Sequence, residues 1–445
     1  MIKLEKYKPN KQTQKIIYVM TCILLVAFGA IFLYKSYALY EEKKDFNVIN
    51  GQVEKPGDLY FAYYVNGTIS KDVPTKDSGL TLDTTKSSCN SGVTVSWDDD
   101  NWHAILDYST YTANSTTRTK CTLYFKSKPV MATTLLNNLV SGANTSSTDV
   151  YTVPNKTSDS CTYTLAYDGT SDNNLRYVGA NPCNYVTFNG EKAGWRIIGI
   201  LNTPEGQRMK LIRTNSLRNY SWDNKASGTG SSTSSYGSND WTDSTLKEIL
   251  NNGAYYNRIS GTCPYGSSGS TTSCDFTSNG LTEETRNQID TIIWKLGGTA
   301  IYSSSSNGLA SHWYTYERGT TVYSGRPTEW QGKVGLMYPS DYGYATSGGS
   351  SMDRTSCLAK ELYNWDSSSY SDCKNNDWLY NSSIYQWTLA PNSYDSAGVF
   401  FVSPSGFVRA SYADYQFAVR PSVYLTSKTS ILGGEGTLEN PYQIG

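Results

Sequence analysis

The sequence predicts an α+β protein built, in order, from an N-terminal transmembrane helix, a small antiparallel β-sandwich module and a larger domain of strands with a few helices. Three observations lead to this prediction. An uncharged apolar run follows a basic N-terminus. Short runs rich in Tyr, Val and Thr then alternate with Gly, Asn and Asp turns, as strands do. Two further segments carry apolar residues at helical spacing.

The first forty residues predict a membrane anchor. Five lysines and one glutamate precede an apolar run over 16–34, and a helix needs about 20 apolar residues to cross a bilayer. A basic flank on the N-terminal side predicts that this end is cytoplasmic and that the rest is extracellular. We therefore expect a cytoplasmic tail over 1–15, a single-pass anchor in the cell membrane over 16–38 and a stalk over 39–54. A cleaved signal peptide is the alternative, disfavoured because no Ala-x-Ala site follows the run.

Cysteine usage agrees with export. Cys22 lies in the apolar run, and eight of the nine cysteines lie beyond it. An even number of cysteines in an exported chain predicts disulfides, and the spacing favours bonds between sequential neighbours. Zinc is the alternative, but the chain has no C-x-x-C and only two histidines. The expected pairs are Cys89–Cys121, Cys161–Cys183, Cys263–Cys274 and Cys357–Cys373.

The composition narrows the class of partner. Charged residues make up 17% of the chain, which has a net charge of −1 and no basic patch, so nucleic acid is excluded as a partner because its phosphates require clustered Lys and Arg. Tyr and Gly, at 37 each, are abundant beside Ser, Thr and Asn. Antibody-type binding loops use the same residue types, although a β-rich extracellular protein without a ligand would also have this composition.

Residues 55–127 predict the β-sandwich module. Four strand-like runs are separated by turn signals at 65–67, 77–79 and 98–101. The acidic run Asp98, Asp99 and Asp100 could bind calcium, but it lacks the D-x-D-x-D-G pattern, so we interpret it as a solvated hairpin turn. The module is expected to act as a spacer. A short helix over 131–141 and a polar linker then fill 128–149.

The larger domain is expected over 150–432. Asn189-Gly190, between two strand-like runs, predicts a hairpin turn. One helix is predicted over 244–250, and a second from an N-cap at Thr282 to Leu296. Strands are predicted at 195–201 and, as the closing strand, at 419–425. The segment 433–445 is expected to be a C-terminal tail.

An early Trp195-Arg196-Ile197-Ile198-Gly199 strand, two helices, a loop-rich second half and a closing Val419-Arg420-Pro421-Ser422-Val423-Tyr424-Leu425 strand resemble the C-type lectin-like domain. The closest resemblance is to its branch of formylglycine-generating-enzyme-like domains and retroelement variable proteins. The whole arrangement is similar to anchored surface proteins of gut Gram-positive bacteria. The Glu-Pro-Asn or Gln-Pro-Asp motif of calcium-dependent sugar binding is replaced by Ala390-Pro391-Asn392, so neither a calcium site nor any other metal site is expected.

The resemblance implies a ligand-binding face just before the closing strand. That region alternates short apolar strands with Tyr, Asn, Ser, Asp and Arg, and Tyr and Arg are enriched at binding hot spots. An ordinary hairpin with solvated polar residues is the alternative. The expected ligand-binding residues are Asn392, Tyr394, Asp395, Ser405, Phe407, Arg409, Tyr412, Asp414 and Tyr415.

Catalytic signals are missing from the sequence. The larger domain has a single histidine, His312, and no G-x-S-x-G motif. Glu283 and Glu284 begin a predicted helix, where the helix dipole explains them. We therefore expect no enzyme and no cofactor, but a surface-displayed adhesin or receptor for an extracellular protein or glycan. A structural surface protein without a ligand and an enzyme of the formylglycine-generating fold are the alternatives.

Overall fold

The computed structural model describes residues 45–46, 59–65, 67–76, 80–90, 92–98, 101–107, 109, 119–127, 130–141, 143–145, 150–153, 160–225, 236–304 and 307–445. The chain divides into two compact units, Met1–Lys128 and Pro129–Gly445. The described residues are mostly β, with 39% in strands and 18% in helices. The predicted α+β class is therefore wrong, because strands dominate and the helices are short.

The described part of unit 1 forms two small sheets around a core of its own. Leu82, Trp102, Leu123 and Phe125 are among its buried residues. Its strands are β1 (Asp45–Phe46), β2 (Leu59–Val65), β3 (Thr68–Ser70), β4 (Leu80–Leu82), β5 (Ser88–Cys89), β6 (Thr94–Asp98), β7 (His103–Asp107) and β8 (Thr119–Ser127). One sheet has the order β1-β7-β6, and the other has β3-β2-β8-β4 with β5 also paired to β8.

The predicted antiparallel sandwich requires correction. Strands β2 and β8 pair in parallel along seven residues, from Leu59 opposite Thr119 to Val65 opposite Phe125. Because parallel neighbours need a long crossover between them, this pairing joins the two ends of the module and could not be read from its local hairpin signals. The sheet that contains them is mixed.

The membrane anchor is not supported either. The predicted span over 16–38 lies outside the residues that the structure describes. Within the described ranges, no helix combines the length and the apolar character needed to cross a bilayer. The described residues therefore do not support the predicted single-pass placement in the cell membrane.

Unit 2 is built on a sheet of twelve strands, the major sheet. Its strands are β9 (Val130–Met131), β10 (Asn144–Thr145), β11 (Val150–Thr152), β12 (Thr164–Tyr167), β13 (Leu175–Tyr177), β14 (Tyr185–Phe188), β15 (Glu191–Thr203), β16 (Gly206–Arg213), β22 (Val334–Gly335), β27 (Ser422–Tyr424), β28 (Ser430–Gly433) and β29 (Tyr442–Ile444). Neighbouring strands follow the order β10-β11-β12-β13-β15-β14-β29-β28-β9, and a branch from β15 continues through β16 and β27 to β22.

A second sheet, the minor sheet, has five strands. They are β17 (Asn219–Ser221), β23 (Gln386–Pro391), β24 (Gly398–Val402), β25 (Val408–Tyr412) and β26 (Gln416–Ala418), and their order is β17-β26-β23-β24-β25. Two further pairs form separate two-stranded sheets: β18 (Ser260–Pro264) with β19 (Thr271–Asp275), and β20 (Ile292–Lys295) with β21 (Glu329–Gly332).

Eight short α-helices cover unit 2 where the structure describes it. They are α1 (Ala132–Ser141), α2 (Thr245–Asn251), α3 (Ala254–Asn257), α4 (Glu283–Gln288), α5 (Ala310–Arg318), α6 (Pro339–Tyr344), α7 (Arg354–Leu358) and α8 (Ser371–Asn375). Three 3-10 turns, Trp241–Asp243, Leu362–Asn364 and Ser368–Tyr370, add to them. Helix α1 buries Leu135, Leu136 and Leu139 in the main core, and the tail region supplies strand β29, so both segments belong to this unit.

The structure contains the hairpin turn and the helix cap that the sequence predicts, but one helix is shorter than predicted. Asn189 and Gly190 both have positive φ, 59° and 72°, as a two-residue hairpin turn between β14 and β15 requires. The Thr282 hydroxyl accepts from the backbone N–H of Thr285 at 3.1 Å and caps α4. That helix ends at Gln288 rather than Leu296. The β-branched run that follows it forms β20 instead.

All four predicted disulfides are confirmed. The bonded pairs are Cys89–Cys121 in unit 1 and Cys161–Cys183, Cys263–Cys274 and Cys357–Cys373 in unit 2. Such bonds persist in oxidising compartments, which is consistent with an extracellular protein.

The core of unit 2 also contains an acidic residue, Glu317 of α5, with no exposed surface. The backbone N–H of Ser340 donates to its Oε1 at 2.8 Å, and the Ser340 hydroxyl donates to its Oε2. Burial raises the pKa of Glu317 to about 7, although Arg318 opposes the shift. The native protein therefore keeps this proton at pH values where the unfolded chain has released it.

We expect Glu317→Gln to flatten the decline of stability with rising pH. The contribution of Glu317 is fully present below the unfolded-state pKa of about 4.5 and is lost as pH rises through the folded value of about 7. The effect is at most about 3 kcal/mol, since one pKa unit corresponds to about 1.4 kcal/mol. Urea unfolding of both chains from roughly pH 5 to pH 8 measures it. Parallel curves for the two chains would contradict this prediction.

Candidate functional site

The segment predicted to bind a ligand forms the edge of the minor sheet. Phe401 of β24 lies opposite Trp387 of β23 on one side and Arg409 of β25 on the other. Directly opposed residues of antiparallel strands project from the same face. Trp387, Phe401 and Arg409 therefore share one face of the sheet.

Aromatic rings continue this face across the neighbouring strands. The Phe417 ring centroid lies 4.5 Å from that of Trp387, 4.8 Å from that of Phe401 and 5.1 Å from that of Tyr385. Tyr415 lies 6.1 Å from Phe417. These distances are typical of interacting rings. We call the set the aromatic face: Tyr385, Trp387, Phe401, Phe407, Arg409, Tyr415 and Phe417.

Exposure divides the aromatic face into a base and an outer layer. Trp387 and Phe401 are buried at its base. Tyr385 stacks on Phe417 with an interplanar angle of 21° and is still 46% exposed, and Tyr415 is 49% exposed. Ring contacts hold both tyrosines in place, by stacking for Tyr385 and by a tilted contact with Phe417 for Tyr415, and leave much of their surface to solvent. Fixed, exposed tyrosines lose little conformational entropy when a ligand covers them.

Arg409 supplies the positive charge of this face. Its guanidinium carbon lies 4.0 Å from the Phe407 ring centroid and 4.2 Å from that of Tyr363, within cation–π range of both rings. Its Nη2 lies 3.6 Å from the Asp366 carboxylate. Its Nε is buried and has no hydrogen-bond partner among the described groups. Two rings and one carboxylate therefore hold the guanidinium in place.

Asn392 and Asp395 shape the loop before β24. Their Oδ1 atoms accept from the backbone N–H groups of Tyr394 at 2.8 Å and Ala397 at 2.9 Å. Their carbonyls both accept from Asn239 Nδ2 at 2.8 Å. These side chains are therefore used to fold the loop. Tyr394, between them, is 82% exposed.

The three remaining predicted residues, Ser405, Tyr412 and Asp414, lie in different surroundings. Ser405 is exposed at the β24–β25 hairpin, and its carbonyl accepts from Lys374 Nζ at 2.7 Å. Tyr412 lies 6.3 Å from Tyr415, both rings being partly exposed. Asp414 is buried, and desolvation raises the pKa of its carboxyl. The structure therefore brings Phe407, Arg409 and Tyr415 together, with Tyr412 adjacent, and assigns Asn392, Asp395 and Asp414 to the framework.

Several residues of the site were not predicted. Tyr385, Trp387 and Phe417 could have been found from their alternate positions on strands beside the predicted segment. Tyr363 and Tyr236 come from distant parts of the chain, and Tyr236 stacks on Tyr412 with centroids 4.3 Å apart. Such long-range contacts leave no mark in the local sequence.

The aromatic face offers rings, hydroxyls and one cation. Across the part of the chain that the structure describes, no group of three or more His, Cys, Asp or Glu side chains is placed to hold a metal ion. Binding is thus the chemistry that this face supports best.

No protein-family model, no curated protein and no solved structure matches this chain.

Proposed function

We propose that this chain is an extracellular binding protein, an adhesin or receptor, that takes a glycan on the aromatic face. The observation that carries the proposal is the pair of exposed tyrosines, Tyr385 and Tyr415, supported from beneath by Phe417. A sugar ring presents a flat patch of weakly positive C–H groups. The negative face of an aromatic ring attracts such a patch.

Three further features support a glycan. The phenol groups of the exposed tyrosines can exchange hydrogen bonds with sugar hydroxyls. Arg409, half-buried against its rings, adds a donor for a carboxylate or sulfate substituent. The four disulfides suit a protein that works where extracellular glycans occur. The resemblance to C-type lectin-like proteins also implies a ligand-binding face in this part of the chain.

Glycan arrays probed with the purified full chain, its disulfides formed, test the proposal. We expect saturable binding to a subset of glycans, which titration calorimetry should then confirm in solution. Binding to proteins but to no glycan would mean that the ligand is a protein, and the glycan proposal would be wrong. Failure to bind either would favour a structural surface protein.

A further inference from the structure

Lys210 and Asp341 are in contact in the core of unit 2, far from the aromatic face in sequence. Lys210 lies on β16, and Asp341 lies in the first turn of α6. Lys210 Nζ is 2.5 Å from Asp341 Oδ2, and the two side chains are 0% and 1% exposed. An amine and a carboxyl group are thus held together without access to bulk water.

The walls around the amine are aromatic. Lys210 Nζ lies 4.5 Å from the ring centroid of Tyr338, 5.3 Å from that of Tyr424 and 5.4 Å from that of Trp294. Burial lowers the pKa of the Lys210 amine, although Asp341 opposes the shift. Burial would raise the pKa of Asp341, but Lys210 and Arg176 override it and lower that pKa to about 2. The pair is therefore ionic before any reaction, in a setting that favours the loss of its charges.

The two carboxylate oxygens of Asp341 are held differently. Arg176 Nη1 donates to Oδ1 at 2.8 Å, and Arg176 Nε donates to Asp168 Oδ2 at 3.0 Å. Oδ2 accepts from Lys210 and from the backbone N–H of Tyr338 at 2.9 Å. A guanidinium on Oδ1 is placed to stabilise negative charge on that oxygen during addition to the carboxyl carbon.

We propose that Lys210 and Asp341 become joined by an isopeptide bond, an amide between Nζ and Cγ that the folded chain forms without a cofactor. The ammonium first passes one proton to Oδ2, which leaves a neutral amine and a neutral carboxylic acid. The amine attacks Cγ, and Arg176 stabilises the oxyanion that forms on Oδ1. A second proton then moves from nitrogen to Oδ2, the Cγ–Oδ2 bond breaks and one water leaves.

The reaction keeps the local charges in balance. It removes the positive charge of Lys210 and the negative charge of Asp341. The charges of Arg176 and Asp168 remain and neutralise each other. A neutral amide replaces a buried ion pair, whose desolvation is costly. The fixed contact between the reacting groups supplies the proximity that a slow amide-forming step needs. The product would tie β16 to α6 across 131 residues of sequence.

An intact-mass measurement on the purified full chain, after reduction and alkylation of its cysteines, tests this inference. We expect the mass to fall by one water below the value calculated for the sequence with all its cysteines alkylated. Proteolysis should then yield a branched peptide that contains both Lys210 and Asp341. An unchanged mass overturns the inference, and so does a lost water that maps to a cyclised aspartate without a branched peptide.

Two variants test which groups form the bond. Asp341→Asn retains the electrophilic carbon and changes the leaving group to ammonia, so its linked product should have the same mass as that of the unchanged chain. Lys210→Met cannot form the bond and should have its full calculated mass. A Lys210→Met chain that still loses one water would overturn the assignment to this lysine.

Discussion

Changing both Tyr385 and Tyr415 to alanine should abolish measurable glycan binding while leaving the fold unchanged. Each ring is about half exposed, so its removal creates no cavity in the core. A ring that acts as a hot spot contributes about 2 kcal/mol, or roughly 30-fold in Kd. Two such losses place a micromolar ligand beyond detection. Titration calorimetry with the best ligand from the glycan arrays measures the change, and circular dichroism checks the fold.

The controls separate the aromatic face from other tyrosines. Tyr64→Ala removes a ring that stacks on Tyr124 in unit 1, with centroids 4.6 Å apart, and should leave Kd unchanged. Tyr394→Ala removes the most exposed tyrosine of the predicted loop. If the Tyr394 variant alone lost binding, the loop would be the site, and the proposal for the aromatic face would be wrong.

Local chemistry decides which parts of this fold the sequence could predict. The hairpin at Asn189-Gly190 and the cap at Thr282 each depend on a few adjacent residues, so their signals survive in the sequence alone. The disulfides depend on longer separations, between 11 and 32 residues. They were predictable because every exported cysteine had a near neighbour. The end of helix α4 was missed because apolar residues such as Ile289 and Ile292 suit a helix and a strand equally.

Contacts between segments far apart in the sequence could not be predicted from such local signals. The parallel contact of β2 with β8 and the stacking of Tyr236 on Tyr412 each join segments that the sequence separates widely. The buried ion pair of Lys210 and Asp341 could not be predicted for another reason. Lys210 and Asp341 belong to residue types that usually lie at the surface, and only their packing shows that they face each other. The predicted residues Phe407, Arg409 and Tyr415 thus lie together on the aromatic face, but Tyr385 and Phe417, which complete it, were not predicted.

The buried position of Arg176 predicts the largest effect on stability. Arg176→Gln should lower the free energy of unfolding by about 3–5 kcal/mol, because two carboxylates lose the cation between them. Arg176 is 1% exposed and bonds both Asp168 and Asp341. Urea unfolding followed by tryptophan fluorescence measures the change, since buried tryptophans such as Trp195 report on this core.

A matched substitution tests whether burial is the cause. Arg208 pairs with Asp290 at 2.6 Å, but the two side chains are 12% and 25% exposed, so Arg208→Gln should cost about 1 kcal/mol or less. Adding Asp168→Asn to Arg176→Gln removes the stranded charge and should recover part of the loss. This expectation holds whether or not Lys210 and Asp341 are joined, because Asp168 loses its partner in both cases. An Arg176 variant no less stable than the Arg208 variant would mean that water or a backbone shift replaces the missing guanidinium.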